Sequence, residues 1–168
     1  SYAEGPFYSR YSADVYLPYF IALRRVTGRD LFGETAVHAL HEWSLNLRMP
    51  NGRRPNVDDG HLDDFYGHYL ASIAENGGEF RWDWENNSSG LYVKQFSEPD
   101  AIALYDDSVE PTTPSRQPTV FMPSGGDAVF RSDWTESATY LLLRGEHGRP
   151  RSSGLSHEHP DETSFLLY

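Results

Sequence analysis

The sequence predicts an α+β fold in two portions, helices first and antiparallel strands second. Three observations predict it. Apolar residues recur at helical spacing through the first half of the chain. A segment rich in proline and threonine, Glu110 to Pro118, then resists both helix and sheet. Beyond it, short strand-like runs alternate with turn residues.

The first helix rests on Val15, Tyr19, Leu23 and Val26, with Thr27-Gly28 as its stop. Pro18 either occupies a first turn or kinks that helix. Ala36, Leu40, Trp43 and Leu47 form a second apolar stripe, ended by the turn signal Met49-Pro50-Asn51-Gly52. Asp58-Asp59-Gly60 precedes a third stripe of Leu62, Phe65 or Tyr66, Tyr69, Leu70 and Ile73, which Asn76-Gly77-Gly78 closes. Pro99 to Tyr105 reads as one more short helix, and successive helix pairs could build a toroid. In the β portion, Thr119 to Met122, Ala128 to Arg131, Thr139 to Leu143 and Glu162 to Tyr168 read as strands, with Gly125-Gly126-Asp127 as a turn. The expected division is therefore a helical portion over 1–108, a linker over 109–118 and a β portion over 119–168.

Composition bounds the partners. The chain has 168 residues, no cysteine and a formal net charge of −11. A chain of this size hides about two thirds of its unfolded surface, enough for a core. Without cysteine, disulfides and thiol catalysis are excluded. A nucleic-acid partner is not expected, because a basic stripe would be needed to displace counterions from phosphates. An anionic substrate stays open, since the local field matters more than net charge. No apolar run approaches the roughly 18 residues of a membrane helix, so no span is expected. The chain begins at Ser1 without Met and stops at Tyr168 inside an apolar run. Both ends are expected to be boundaries within a larger protein. Oligomeric state is not readable from these features.

Three clusters could carry chemistry. His157-Glu158-His159-Pro160-Asp161 sets two imidazoles at i and i+2. They would share one face of a strand, or diverge as solvated side chains of a loop. Imidazole serves as a metal ligand and as a proton carrier near neutral pH. Zinc needs three or four ligands, so the cluster is an incomplete set. Gly5-Pro6-Phe7-Tyr8-Ser9-Arg10-Tyr11 sets two tyrosines around an arginine just before the helix. A nearby guanidinium favours the phenolate and would make Tyr8 a usable base; packing ahead of the helix is the other reading. Asp58-Asp59-Gly60 fits a helix cap better than a calcium loop, which needs more spaced oxygens. His38, His41 and His68 lie on or beside helical stripes and read as structural.

Taken in order, these segments resemble the heparinase II/III-like polysaccharide lyases, which are related to alginate lyases. Glu4-Gly5-Pro6-Phe7-Tyr8-Ser9-Arg10-Tyr11 is similar to that family's Glu-Gly-Pro segment with two aromatics and an Arg-Tyr pair. Leu104 to Val109 resembles the exit of its α/α toroid, and Phe130-Arg131-Ser132-Asp133-Trp134 the opening of its antiparallel β-sandwich. Ser156 to Phe165 is similar to its His-Gly-His-x-Asp-x-x-Ser-Phe signature, with Glu158 where glycine is common.

The resemblance implies β-elimination on a polysaccharide that contains uronic acid, such as heparan sulfate or alginate. Tyr8 would act as base, acid or both in turn. His157 would neutralise charge or move the second proton, and Arg10 would hold a carboxylate with its planar fork. His159 matches a position that binds structural zinc in several members, with the remaining ligands outside this chain. A periplasmic or secreted bacterial location is implied too. Two other classes stand beside this one: a binding relative without chemistry, and a glycoside hydrolase for which Asp58 or Asp59 would be essential.

Overall fold

The computed structural model describes residues 4–60, 73, 77–86, 103–104, 106–145 and 163–168. Helix α1 spans Gly5–Thr27, with Pro6 in its first turn and Pro18 inside it. It ends where Gly28 turns left-handed, at φ 74°, and returns its N–H to the Arg24 carbonyl. Its inward residues are Ser9, Ala13, Leu17 and Ile21, spaced four apart. The stripe expected to face inward does not: Val15, Tyr19 and Val26 are exposed, as is Tyr11. The helix carries two apolar stripes, and periodicity alone does not say which one meets the core.

Two short elements follow. Helix α2, Leu31–Glu34, is opened by Asp30, whose side chain accepts the Phe32 N–H at 3.1 Å. Helix α3, Val37–Asn46, buries Trp43, and Leu47 is buried just after it, as the second stripe predicts. Of the third expected stripe, only Ile73 is among the described residues; it is helical and buried. Of the weaker helix near Tyr105, Ala103 and Leu104 are described and helical.

Helix α4, Gly78–Glu85, begins where the sequence predicts a stop. Its inward face carries Phe80, Arg81 and Asp83, so charge hides its periodicity. Gly78 is needed there because the linker crosses it. Thr112 donates its N–H to the Gly78 carbonyl at 2.9 Å, and a Cβ on Gly78 would stand 2.4 Å from the Thr112 hydroxyl.

The strands are β1 Val120–Met122, β2 Asp127–Arg131, β3 Tyr140–Arg144 and β4 Ser164–Leu167. They form one antiparallel meander in chain order, close to the predicted limits. Alternation gives the sheet two faces. Val129, Tyr140 and Leu142 point inward, while Phe121, Phe130, Leu143, Phe165 and Leu167 stay exposed.

Two cores result. One is helical: Ala13, Leu17, Ile21, Phe32, Leu45, Ile73 and Phe80. The other joins Trp43, Leu47, Met49 and Val57 to Val129, Tyr140 and Leu142, so the sheet packs directly on the end of α3. Each large apolar side chain buried there contributes about 1.5–3 kcal/mol. The Tyr140 hydroxyl donates to the Leu47 carbonyl at 3.0 Å, and Arg131 donates to the Asn46 carbonyl. No described helix is long and apolar enough to cross a membrane.

Candidate active site

Gly5 positions the site. Its φ is +78°, and a Cβ there would stand 2.9 Å from both the Val57 carbonyl and the Asp58 Cβ. Only glycine combines that conformation with that approach. The first turn of α1 thereby lies against residues 57–58 and brings Tyr8 to Asp59. The Tyr8 hydroxyl is hydrogen-bonded to the Asp59 carboxylate. Partial burial raises its pKa above the ordinary value, and the Asp59 charge and hydrogen bond, then Glu4, raise it further. Phe7 packs edge-on to the Tyr8 ring, with centroids 5.2 Å apart.

This differs from the electrostatics the sequence suggests. A guanidinium was expected to favour the phenolate, yet the neighbours that set the Tyr8 proton are carboxylates. Arg10 reaches along its own helix to Asp14, at 3.3 Å. Both side chains are partly exposed, and such pairs stabilise a helix by only about 0.3–0.5 kcal/mol.

The helix that Asp58 is expected to cap lies outside the described residues, and Asp58 itself has a second role. It is buried with φ +54° and accepts from Arg144 at 2.8 Å, so it ties the helical portion to the sheet. Arg144 stands 3.9 Å from Asp127, whose other oxygen accepts the Trp43 indole N–H at 3.0 Å. These buried charges hold the loop that carries Asp59 against the end of β2 and β3. Removing one member of such a pair is far more damaging than the pair is stabilising.

The same end of the sheet anchors the segment that contains the histidines. Gly145 donates to the Gly126 carbonyl at 3.0 Å, and Thr163 donates to the Arg144 carbonyl at 2.8 Å. Gly145 and Thr163, which flank residues 146–162, thus stand beside the Arg144–Asp58 pair. His157 and His159 belong to the flanked segment and lie outside the described residues, as does Asp161. Among the described residues, no group of three or more His, Asp or Glu could hold a metal. His41 is structural as expected: it is buried and shares a 3.0 Å hydrogen bond with the Tyr16 hydroxyl.

Sequence reading missed the partner of Tyr8 and the buried ion pairs. Asp83 accepts from Arg48 at 2.9 Å and from Arg54 at 2.8 Å, with all three side chains buried. Burial lowers the Arg48 pKa, and Asp83 partly restores it. No local pattern announces such pairs, because each joins distant segments.

The fold that results is α+β, an antiparallel sheet packed on the end of a helical portion. The same arrangement occurs in a solved lyase, a heparan sulfate lyase HepC mutant from Pedobacter heparinus, with a TM-score of 0.62 and 17% sequence identity. The match covers all of this chain and 23% of that one, so the chain spans less than a quarter of that protein's length. At this identity the likeness shows the fold alone. No protein-family model matches the sequence, and no curated protein matches it at a significant level.

Proposed function

We propose that the protein is a polysaccharide lyase that cleaves uronic-acid-containing chains by β-elimination. The observation that carries this reading is the Tyr8 hydroxyl bonded to Asp59, near the end of the sheet where Gly145 and Thr163, the residues flanking the His157 segment, are anchored. The reaction must neutralise the uronate carboxylate, remove the C5 proton and protonate the departing O4. The Asp59 charge disfavours the phenolate, so of the base and acid roles Tyr8 takes the acid one and gives its proton to the departing O4. Arg10 is the cation assigned to the carboxylate, exchanging Asp14 for substrate. His157 neutralises developing charge or moves the other proton.

Asp58 is poorly suited to a hydrolase role, because its buried carboxylate accepts from Arg144. Zinc at His159 remains a proposal from the resemblance; the described residues do not supply the rest of a ligand set, and no step here depends on a metal. The toroid and sandwich belong to the same reading. The exposed stripe of α1 suits further helices, and the exposed apolar face of the sheet suits a second sheet.

The test is incubation of the full-length protein with heparan sulfate, alginate and hyaluronan. The expected product is an unsaturated uronate, read by its ultraviolet absorbance. New reducing ends without that absorbance would point to hydrolysis and overturn the reading.

A further inference from the structure

At the other end of β2 lies an unassigned cavity. Strand β2 has five residues, so its ends stand roughly 13 Å apart. Asp127 marks the end tied to Asp58, and Arg131 marks the opposite one. Beyond Arg131, a cavity of about 460 Å³ opens between α4 and the β2–β3 connection. Trp82 and Trp134 line it, edge to face at 6.3 Å, with Arg48, Asn86, Thr135 and Glu136 around them. This size and this mix of aromatic walls and sparse polar groups suit a small-molecule site.

The surroundings of the cavity are cationic. Arg48 lies 4.6 Å from the Trp82 ring centre, and Arg131 lies 4.1 Å from that of Trp134. Arg48 and Arg54 both donate to Asp83. Arg131, only 8% exposed, donates to the Asn46 carbonyl, and its Nε has no partner among the described residues. Two guanidinium groups therefore share one buried carboxylate, and a third, Arg131, is close enough to feel the charges of all three. Burial pushes the Arg131 pKa down to about 10, and the like charges of Arg48 and Arg54 lower it further. On the rim, Glu136 is the opposing charge, and Asp133 is turned toward Thr135 and Ser132.

We infer that this cavity binds an acidic pyranose unit, with its C–H face on the indoles and its carboxylate in the field of the Arg48–Arg54–Arg131 cluster. It is a holding site for the polysaccharide, separate from the Tyr8 end of the sheet. That the ligand is a sugar rests on the lyase reading; that it is anionic rests on the guanidinium cluster.

The test is calorimetric titration of full-length protein carrying Tyr8→Phe, with a hyaluronan tetrasaccharide and with neutral chitotetraose. The acidic probe should bind more tightly than the neutral one. Trp134→Ala should weaken its binding about tenfold or more, and Trp134→Phe should retain most of it. Glu136→Gln changes only an exposed rim charge and should tighten binding about two- to threefold. Equal binding of the two probes, or an unchanged affinity in Trp134→Ala, would overturn the inference. Should Trp134-dependent binding persist while the parent protein makes no unsaturated product, the lyase reading fails and this site stands. Unsaturated product from the parent without Trp134-dependent binding overturns this site alone.

Discussion

Tyr8 donates its hydroxyl proton toward Asp59, and that partner decides which way it titrates. A tyrosine is protonated at neutral pH in any case, and the raised pKa extends that range to higher pH. A proton donor of this kind loses activity only as pH climbs through its raised pKa. Asp59→Asn keeps an acceptor and removes the charge, so the Tyr8 pKa should fall toward its ordinary value. Ultraviolet difference titration, with Tyr8→Phe as the blank, reads that fall directly. The alkaline limb of the rate profile should move down with it; a limb that stays in place would contradict Tyr8 as the donor. Asp83 offers a separate prediction about stability. Asp83→Ala leaves Arg48 and Arg54 buried without the carboxylate they share, and should cost about 3–5 kcal/mol in urea denaturation. Tyr8 and Arg10 were legible as a polar cluster in the sequence. Asp59 as the partner was not, because Gly5 brings the two together across a long separation in the chain.

Helix α1 separates what periodicity can tell from what it cannot. Its extent was legible from its spacing and from Gly28, but its inward face was not. In the 168-residue chain, Leu17→Ala should cost about 2–5 kcal/mol, whereas Val15→Ala should stay within about 0.5 kcal/mol. Equal losses would mean that both stripes are buried. The strands were nearly fully legible, since alternating apolar residues and the Gly125-Gly126 turn mark them locally. Helix α4 was not, because its inward face holds Arg81 and Asp83 and its start holds paired glycines. Gly78→Ala should be more destabilising than the usual gain from removing a helical glycine, because the added Cβ meets the Thr112 side chain and the Glu110 carbonyl. Thermal melts of that variant measure the loss; an unchanged or raised melting temperature would show that the linker can give way.

Across the whole molecule, the two portions share one core, with Trp43, Leu47, Met49 and Val57 packed on Val129, Tyr140 and Leu142. The order of helices and strands was legible in the sequence. The joint was not, because it depends on long-range pairs such as Asp58 with Arg144 and Trp43 with Asp127. That joint holds the loop carrying Asp59 against the end of β2 and β3, so under the proposed function the helical and β portions act together. The measurement that tests this most directly compares full-length protein with its Tyr8→Phe variant on a uronate polysaccharide, following ultraviolet absorbance of the unsaturated product. The account predicts steady formation of that product by the parent protein and at least a hundredfold loss in the variant, about the contribution of one general acid. Undiminished turnover in a folded Tyr8→Phe protein would contradict it.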